Sequence, residues 1–403
     1  MPTLMPVYSP LPLDAVLSGL AATLFPARAA RASVEIGTWL QREDPERDLL
    51  LLDSGTTALT LALRATAGEQ RGAVAIPAFA CYDIATAVDG AEVPFVFYDL
   101  DPLTLGPDLA SLRRALQAGA DRIVLVHLYG VPVDLDAATA LAREFGALII
   151  EDAAQGSGGE WNGRALGTSG SLGILSFGRG KGITGGTGGA LLGNDAAGRA
   201  ALATARGLTA PGKVSPREVV ALVAQWLLAR RWLYWLPASL PFLGLGETTY
   251  RAPRPGARIS PFAAGVLRRT APMALGEEGT RRLNAAALAI LVAPTLGQPV
   301  RAPARGVAGY LRLPVLLPRA APRAEPREAP HPAPRSQRSD RVRLGIMHSY
   351  PLPLSELPGF ASRQSAPAEF TGARALSERL ITVPVHSRLT QADVRRLGKW
   401  LGE

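Results

Sequence analysis

Of the 43 basic residues in this 403-residue chain only three are lysines, Lys181, Lys213 and Lys399. Lys181 lies in Ser176-Phe177-Gly178-Arg179-Gly180-Lys181-Gly182-Ile183-Thr184-Gly185-Gly186-Thr187-Gly188-Gly189, seven glycines in fourteen positions. A guanidinium stays protonated in proteins, whereas an amine can lose its proton and act as nucleophile or base. A lysine placed in such a loop by an arginine-rich chain therefore points to Schiff-base chemistry, with a solvated turn or a phosphate ligand as the alternatives. A P-loop is excluded by spacing: Gly182 follows Lys181 where Ser or Thr is needed, and Leu175 stands where the first glycine belongs.

Two upstream segments could complete such a site. Leu148-Ile149-Ile150-Glu151-Asp152 is an apolar run ending in acids, the pattern of a buried parallel strand. Its C-terminal end is where open α/β sheets bind ligands. A carboxylate there suits the pyridine nitrogen of pyridoxal phosphate, because it keeps that nitrogen protonated and the ring electron-withdrawing. Asp152 has the chemistry for this role, and Gln155 could bond the ring oxygen; Asp152 could equally cap a following helix. The second segment runs from Leu49-Leu50-Leu51-Leu52 into Asp53-Ser54-Gly55-Thr56-Thr57, with Leu59, Ala62 and Leu63 then at helical spacing. The open backbone amides of a helix start bind phosphate, and Gly55 lets the backbone approach closely.

These segments, in this order, resemble the DegT/StrS family of sugar aminotransferases. The likeness rests on Ser54 to Leu59, Glu151 to Gln155 and Ser176 to Gly189. It extends to Asp99-Leu100-Asp101, Val126-His127-Leu128-Tyr129-Gly130 and Val383-Pro384-Val385-His386-Ser387-Arg388-Leu389-Thr390. It is dense to about residue 205 and patchy beyond. The resemblance implies a pyridoxal-phosphate-dependent transferase of fold type I, an α/β protein with a mainly parallel sheet flanked by helices and a smaller C-terminal α+β domain. It implies that Lys181 bonds the cofactor and then moves the substrate proton. Asp152 would pair with the pyridine nitrogen and Gln155 with the ring oxygen, while Gly55, Thr56 and Ser176 hold the phosphate. Tyr82, in Pro77-Ala78-Phe79-Ala80-Cys81-Tyr82-Asp83, is the candidate to stack on the ring. His127 is expected to be a satisfied structural histidine rather than a site residue. The expected reaction moves an amine from glutamate to a nucleotide-activated keto sugar, in a homodimer. A related branch of sugar dehydratases carries histidine where this chain has Lys181, which argues against that chemistry. The remaining alternative is a non-catalytic, regulatory pyridoxal-phosphate binder. Relatives also carry Asn-x-Arg-Met in mid-chain, where the asparagine reaches a neighbouring subunit's phosphate. Here the stretch reads Gly256-Ala257-Arg258-Ile259, without the asparagine.

The strands and helices that must position these residues are readable by period. Ala73 to Ile76, Val93 to Tyr98, Ile123 to His127, Leu148 to Glu151 and Gly173 to Phe177 read as strands. Asp134 to Phe145 reads as a helix with Leu135, Ala138, Leu141 and Ala142 on one face, and Gln391 to Leu401 as a terminal helix. The expected organisation is an N-terminal arm (1–14), a large cofactor-binding domain (15–250) and a smaller domain (251–403). An apolar insertion at 214–245 includes Arg230, Arg231, Trp232, Tyr234 and Trp235, and is expected to pack on protein rather than on a membrane surface. Residues 318–341 hold six prolines in their first seventeen positions and are expected to form a disordered loop.

Composition limits the remaining classes. The net charge is +9, but the arginines are scattered and no nucleic-acid-binding motif is present, so no nucleic-acid partner is expected. The single cysteine, Cys81, excludes an intrachain disulfide and a cysteine-rich metal site, and no metal is expected. Met1 to Pro12 lacks a charged and apolar leader, and no apolar run approaches the roughly 20 residues of a spanning helix. A cytoplasmic location is the expectation.

Overall fold

The computed structural model describes residues 3–68, 72–230, 232–235, 249–318, 340–364 and 368–402. Helices α1 (Leu13–Leu24) and α2 (Pro26–Leu40) precede β1 (Asp48–Leu52), α3 (Gly55–Ala65), β2 (Ala73–Pro77), α4 (Asp83–Ala91) and β3 (Phe95–Tyr98). Next come α5 (Leu109–Gln117), β4 (Ala120–Val126), α6 (Leu135–Phe145), β5 (Leu148–Asp152), and the short β6 (Glu160–Trp161) and β7 (Arg164–Ala165). They are followed by β8 (Leu172–Ser176), β9 (Gly189–Gly193), α7 (Ala196–Gly207), α8 (Pro216–Leu228), α9 (Pro261–Thr270) and α10 (Ala274–Ala289). The remainder is β10 (Gln298–Pro299), β11 (Gly306–Val307), β12 (Leu313–Leu316), β13 (Met347–His348), α11 (Thr371–Arg379), β14 (Leu380–Val383) and α12 (Gln391–Gly402).

The large sheet has the order β1-β9-β8-β5-β4-β2-β3. The strands from β8 through β3 pair in parallel, and β9 runs antiparallel to both its neighbours. Apolar residues on both strand faces make this possible, since each face needs a cover of helices. On one face Ile76, Val124, Ile150, Ile174 and Leu191 pack with Leu63 of α3, Ile84 of α4 and Leu202 of α7. On the other, Ala75, Ile123, Leu125 and Ile149 pack with Leu112 of α5 and with Leu135, Ala138 and Leu141 of α6. The expected apolar face of α6 is the one it buries. Asp134 caps that helix by accepting from the amides of Asp136 and Ala137 at 3.1 Å, which satisfies two of its open donors.

A second, antiparallel sheet has the order β10-β12-β14-β13. Its core joins Leu313, Val315, Ile381 and Val383 to Leu288 of α10 and to Leu397 and Leu401 of α12. The expected division at residue 250 falls before α9. Helix α9, well past that point, packs with the N-terminal helices: Phe262 and Val266 cluster with Ala15 and Val16, and Ala263, Ala264 and Leu267 with Ile36 and Leu40. Gly19 of α1 allows the close crossing, since a Cβ there would lie 2.7 Å from a methyl of Val266. Within the insertion, Leu222 of α8 is buried in this same cluster, with Val219, Val223 and Trp226 against it, while Val220, Leu227, Trp232 and Trp235 are exposed. Most of the 318–341 stretch, and residues 236–248, lie outside the described residues. Among the described residues no helix is long and apolar enough to cross a membrane.

Candidate functional site

Strand β5 ends in two buried acids whose side chains, by the pleat, point to opposite faces of the sheet. Glu151 is fully enclosed. It accepts from the amides of Gly167 (2.6 Å), Ser169 (2.9 Å) and Gly170 (2.9 Å) and from the His127 ring at 2.9 Å. Burial opposes its charge, but the His127 bond and these amides outweigh that and hold its pKa below the ordinary carboxylate value. His127 is completely buried, and its Nδ1 accepts from Val133 N at 3.2 Å. That bond assigns the ring proton to Nε2, facing Glu151. Both residues are thus internal fastenings, and His127 has the structural place expected for it.

Asp152 differs. One carboxylate oxygen accepts from Ala154 N at 2.9 Å, and this is the only hydrogen bond to its side chain among the described residues. Burial raises its pKa above the ordinary value of 3.8, with Ala154 N and Lys181 opposing that rise. No helix starts behind it, so it is not a cap. It lines a cavity together with Gly55, Thr56, Cys81, Asp83, Gln155, Ser176 and Lys181. Five of the expected residues besides Asp152 therefore meet around one space.

The first turn of α3 forms one wall. Ser54 caps the helix by accepting from Thr57 N at 3.0 Å, which leaves the amides of Gly55 and Thr56 open. Gly55 lies so close to the end of β8 that a Cβ would sit 2.9 Å from the Ser176 Cβ. The opposite wall is the Lys181 loop. Lys181 makes no hydrogen bond or ion pair among the described residues, so its amine is uncommitted. Gly182 holds φ +84°, and a side chain there would meet Arg281 Nη1 at 2.7 Å. Arg281, almost wholly buried, bonds Gly309 O at 3.1 Å and Ser157 O at 2.8 Å, and so backs the loop from behind. From the N-terminal arm, Ser9 Oγ accepts from Gly182 N at 3.1 Å. Arg281 and Ser9 were not legible in the sequence, because both reach the loop from distant segments.

The two residues expected to contact the ring are placed differently. Tyr82 does not face the cavity: its hydroxyl accepts from Leu352 N at 3.0 Å and donates to Leu352 O at 3.1 Å, and its ring packs near Tyr350. Starting α4 at Asp83 turns Tyr82 inward and leaves Cys81 on the cavity wall. Burial, with Asp83 adding to it, pushes the Cys81 thiol up to about 12. Gln155 does line the cavity, but its amide is already held. Its Oε1 accepts from Tyr129 N at 3.1 Å and its Nε2 donates to Tyr350 OH at 2.9 Å, leaving one amide hydrogen free. Arg258, beside the missing asparagine, bonds Thr209 Oγ1 at 3.1 Å on the exposed side of β1.

Taken together the residues fit pyridoxal phosphate. A buried carboxylate short of partners matches the pyridinium, an open helix start matches the phosphate, and a free lysine amine stands beside both. Among the described residues no cluster of three or more acidic, histidine or cysteine side chains could hold a metal.

Comparison with known proteins agrees. Residues 47–218 match the model of the DegT/DnrJ/EryC1/StrS aminotransferase family. The chain is 40% identical over 144 residues to an L-glutamine:2-deoxy-scyllo-inosose aminotransferase from Micromonospora echinospora, a match covering 36% of this chain and 34% of that protein. It is 38% identical over 124 residues to a UDP-N-acetyl-3-dehydro-alpha-D-glucosamine 3-aminotransferase from Acidithiobacillus ferrooxidans, covering 31% and 34%. The matches thus span about a third of these relatives' length. In fold, the chain superposes on the sugar aminotransferase CalS13 from Micromonospora echinospora with a TM-score of 0.70 at 20% identity, over 98% of each chain.

The two acids of β5 should respond oppositely to substitution. Glu151→Ala leaves the His127 ring and three amides without an acceptor, and is expected to cost about 3 kcal/mol or more in denaturant unfolding. Because the folded pKa of Glu151 is lowered, its contribution is present above the ordinary value of 4.5 and is lost as pH falls through the folded value. Asp152 has the reverse sign. Its raised pKa makes its contribution fully present below 3.8 and lost as pH rises through the higher folded value, so the ionised group destabilises the cofactor-free fold at neutral pH. Asp152→Asn should therefore raise the melting temperature of the cofactor-free protein at pH 7 while weakening pyridoxal phosphate binding.

Proposed function

We propose that this chain, whose residues 47–218 match the model of the DegT/DnrJ/EryC1/StrS aminotransferase family, is a pyridoxal-phosphate-dependent aminotransferase. It moves an amino group from an amino-acid donor, glutamate in our reading, to the ketone of a nucleotide-activated sugar for amino-sugar or polysaccharide synthesis. It acts as a homodimer in the cytoplasm. The observation that carries the reading is the uncommitted amine of Lys181 beside the under-partnered carboxylate of Asp152, in a cavity that also exposes the first turn of α3.

Each residue has a task that follows from its surroundings. The open amides of Gly55 and Thr56 and the Ser176 hydroxyl bind the phosphate. Asp152 keeps a proton on the ring nitrogen, which gives its buried charge the partner it lacks. The free hydrogen of Gln155 Nε2 is directed to the ring oxygen. When bound, the cofactor supplies an electrophilic carbonyl carbon and an electron sink for a carbon that loses its proton. With the cofactor held there, Lys181 Nζ would take the proton from the donor carbon and return it to the neighbouring position. With the keto sugar in the donor's place the same amine would return a proton to the sugar carbon. Proton transfer by a positioned amine of this kind contributes roughly a hundred- to ten-thousand-fold in rate. The Arg281 clamp and the Ser9 bond fix the loop, and therefore the line of approach of that amine.

A visible absorption spectrum tests the reading. The purified protein with pyridoxal phosphate should show the band of a lysine-bound cofactor, and glutamate should bleach it. Lys181→Ala should lose both the lysine-dependent band and turnover. Turnover unchanged in Lys181→Ala would sink the assignment. A protein that takes up the cofactor but does not respond to any amino acid would favour a regulatory binder.

A further inference from the structure

Helix α1 carries apolar residues on both its sides. The inner side, with Ala15, Val16, Gly19 and Ala22, is buried. Ala15 and Val16 cluster with Phe262 and Val266 of α9 and with Leu222 of α8, so α1 and α8 are neighbours in one packed group. The outer side carries Leu13, Leu17, Leu20 and Leu24, at the three- and four-residue spacing of one helix stripe, and all four are exposed, Leu24 by 73%. Phe25 follows directly and is exposed too. Helix α8 repeats the arrangement. Val219, Leu222, Val223 and Trp226 belong to the packed group, while Val220 and Leu227 are exposed, as are Trp232 and Trp235 just beyond the helix, by 67% and 53%. The insertion thus packs on protein with one side only. Exposed large apolar residues are ordinary one at a time, but nine on two neighbouring helices and their ends are not.

The free charges around these residues are mostly of one sign. Arg28 lies over the Phe25 ring at 5.0 Å and Arg230 over the Trp226 ring at 4.7 Å. Arg28, Lys213, Arg217 and Arg230 form no ion pair among the described residues. Helices α1, α2 and α8 hold one acid each. Glu35 is taken by Arg31 and Arg268, and Glu218 accepts from Ser260 Oγ and Thr187 Oγ1, which leaves Asp14.

We propose that α1 and α8 dock this protein on the surface of an anionic lipid bilayer, lying in the interface without crossing it. The leucine stripe and Val220 enter the boundary of the acyl chains, Trp232 and Trp235 sit at headgroup level, and the cations meet lipid phosphates. A second copy of this chain is the other cover for such a face. A two-fold contact sets one patch against itself, so four unpaired cations would meet four more, with a single acid on each side to offset them. An anionic surface offers every one of them the opposite charge.

The test is co-sedimentation of the full chain with vesicles of phosphatidylcholine, alone or mixed equally with phosphatidylglycerol. The protein is expected to sediment with the mixed vesicles and to bind phosphatidylcholine alone about tenfold or more weakly, and added salt should release it. Leu17→Glu combined with Leu24→Glu should abolish binding to the mixed vesicles, and Arg28→Gln and Arg230→Gln should each weaken it about fivefold. Uptake of pyridoxal phosphate, seen as the cofactor band, reports the fold of each variant, and Trp232→Ser serves if the double variant does not fold. No binding of the wild type to mixed vesicles, equal binding by wild type and every variant, or binding indifferent to the anionic lipid would each overturn the proposal. So would a leucine double variant that keeps its vesicle binding but turns a dimer into a monomer, since a second copy would then be what covers the face.

Discussion

The site depends on what two neighbouring carboxylates at the end of β5 are given to bond. A strand reverses its side chains at each residue, so Glu151 and Asp152 enter opposite faces of one sheet. The face behind β5 surrounds Glu151 with four donors and closes around it. The face in front gives Asp152 one amide and a cavity. A buried carboxylate with so little support is unfavourable by several kcal/mol unless something supplies the rest. The saturated acid locks β4, β5 and the 167–170 turn in place, and it is this rigidity that lets the unsaturated one stay exposed to a ligand. The role proposed for Asp152 thus relies on structure at Glu151, one residue away.

The Lys181 loop meets the same requirement by other means. It has no regular structure to hold it, so its shape comes from outside: Arg281 from α10, Ser9 from the N-terminal arm, and the bond from Gly185 N to Phe177 O. The glycines give the backbone its left-handed turns and leave room for the Arg281 side chain. A lysine on a helix would be steadier, but its amine would have to reach the cavity along a fixed direction. A clamped loop sets the stem and leaves the end of the side chain able to move, as the two tasks proposed for Lys181 require.

Local features of the sequence carried much of this. The apolar runs of β2, β4, β5 and β8, the period and caps of α6, and the residues at Gly55, Thr56, Asp152, Gln155, Ser176 and Lys181 are each properties of short segments, and the fold brings those six to one cavity. What escaped depends on partners far along the chain. Whether Tyr82 or Cys81 faces the cavity turns on where α4 begins, a shift of one residue that sequence period does not resolve. The packing of α9 onto α1 and α2 depends on a small-residue crossing at Gly19, some 240 positions upstream of it. Arg281 looks like any of the chain's many arginines until tertiary structure removes its water. A chain that uses arginine almost everywhere hides its few buried ones.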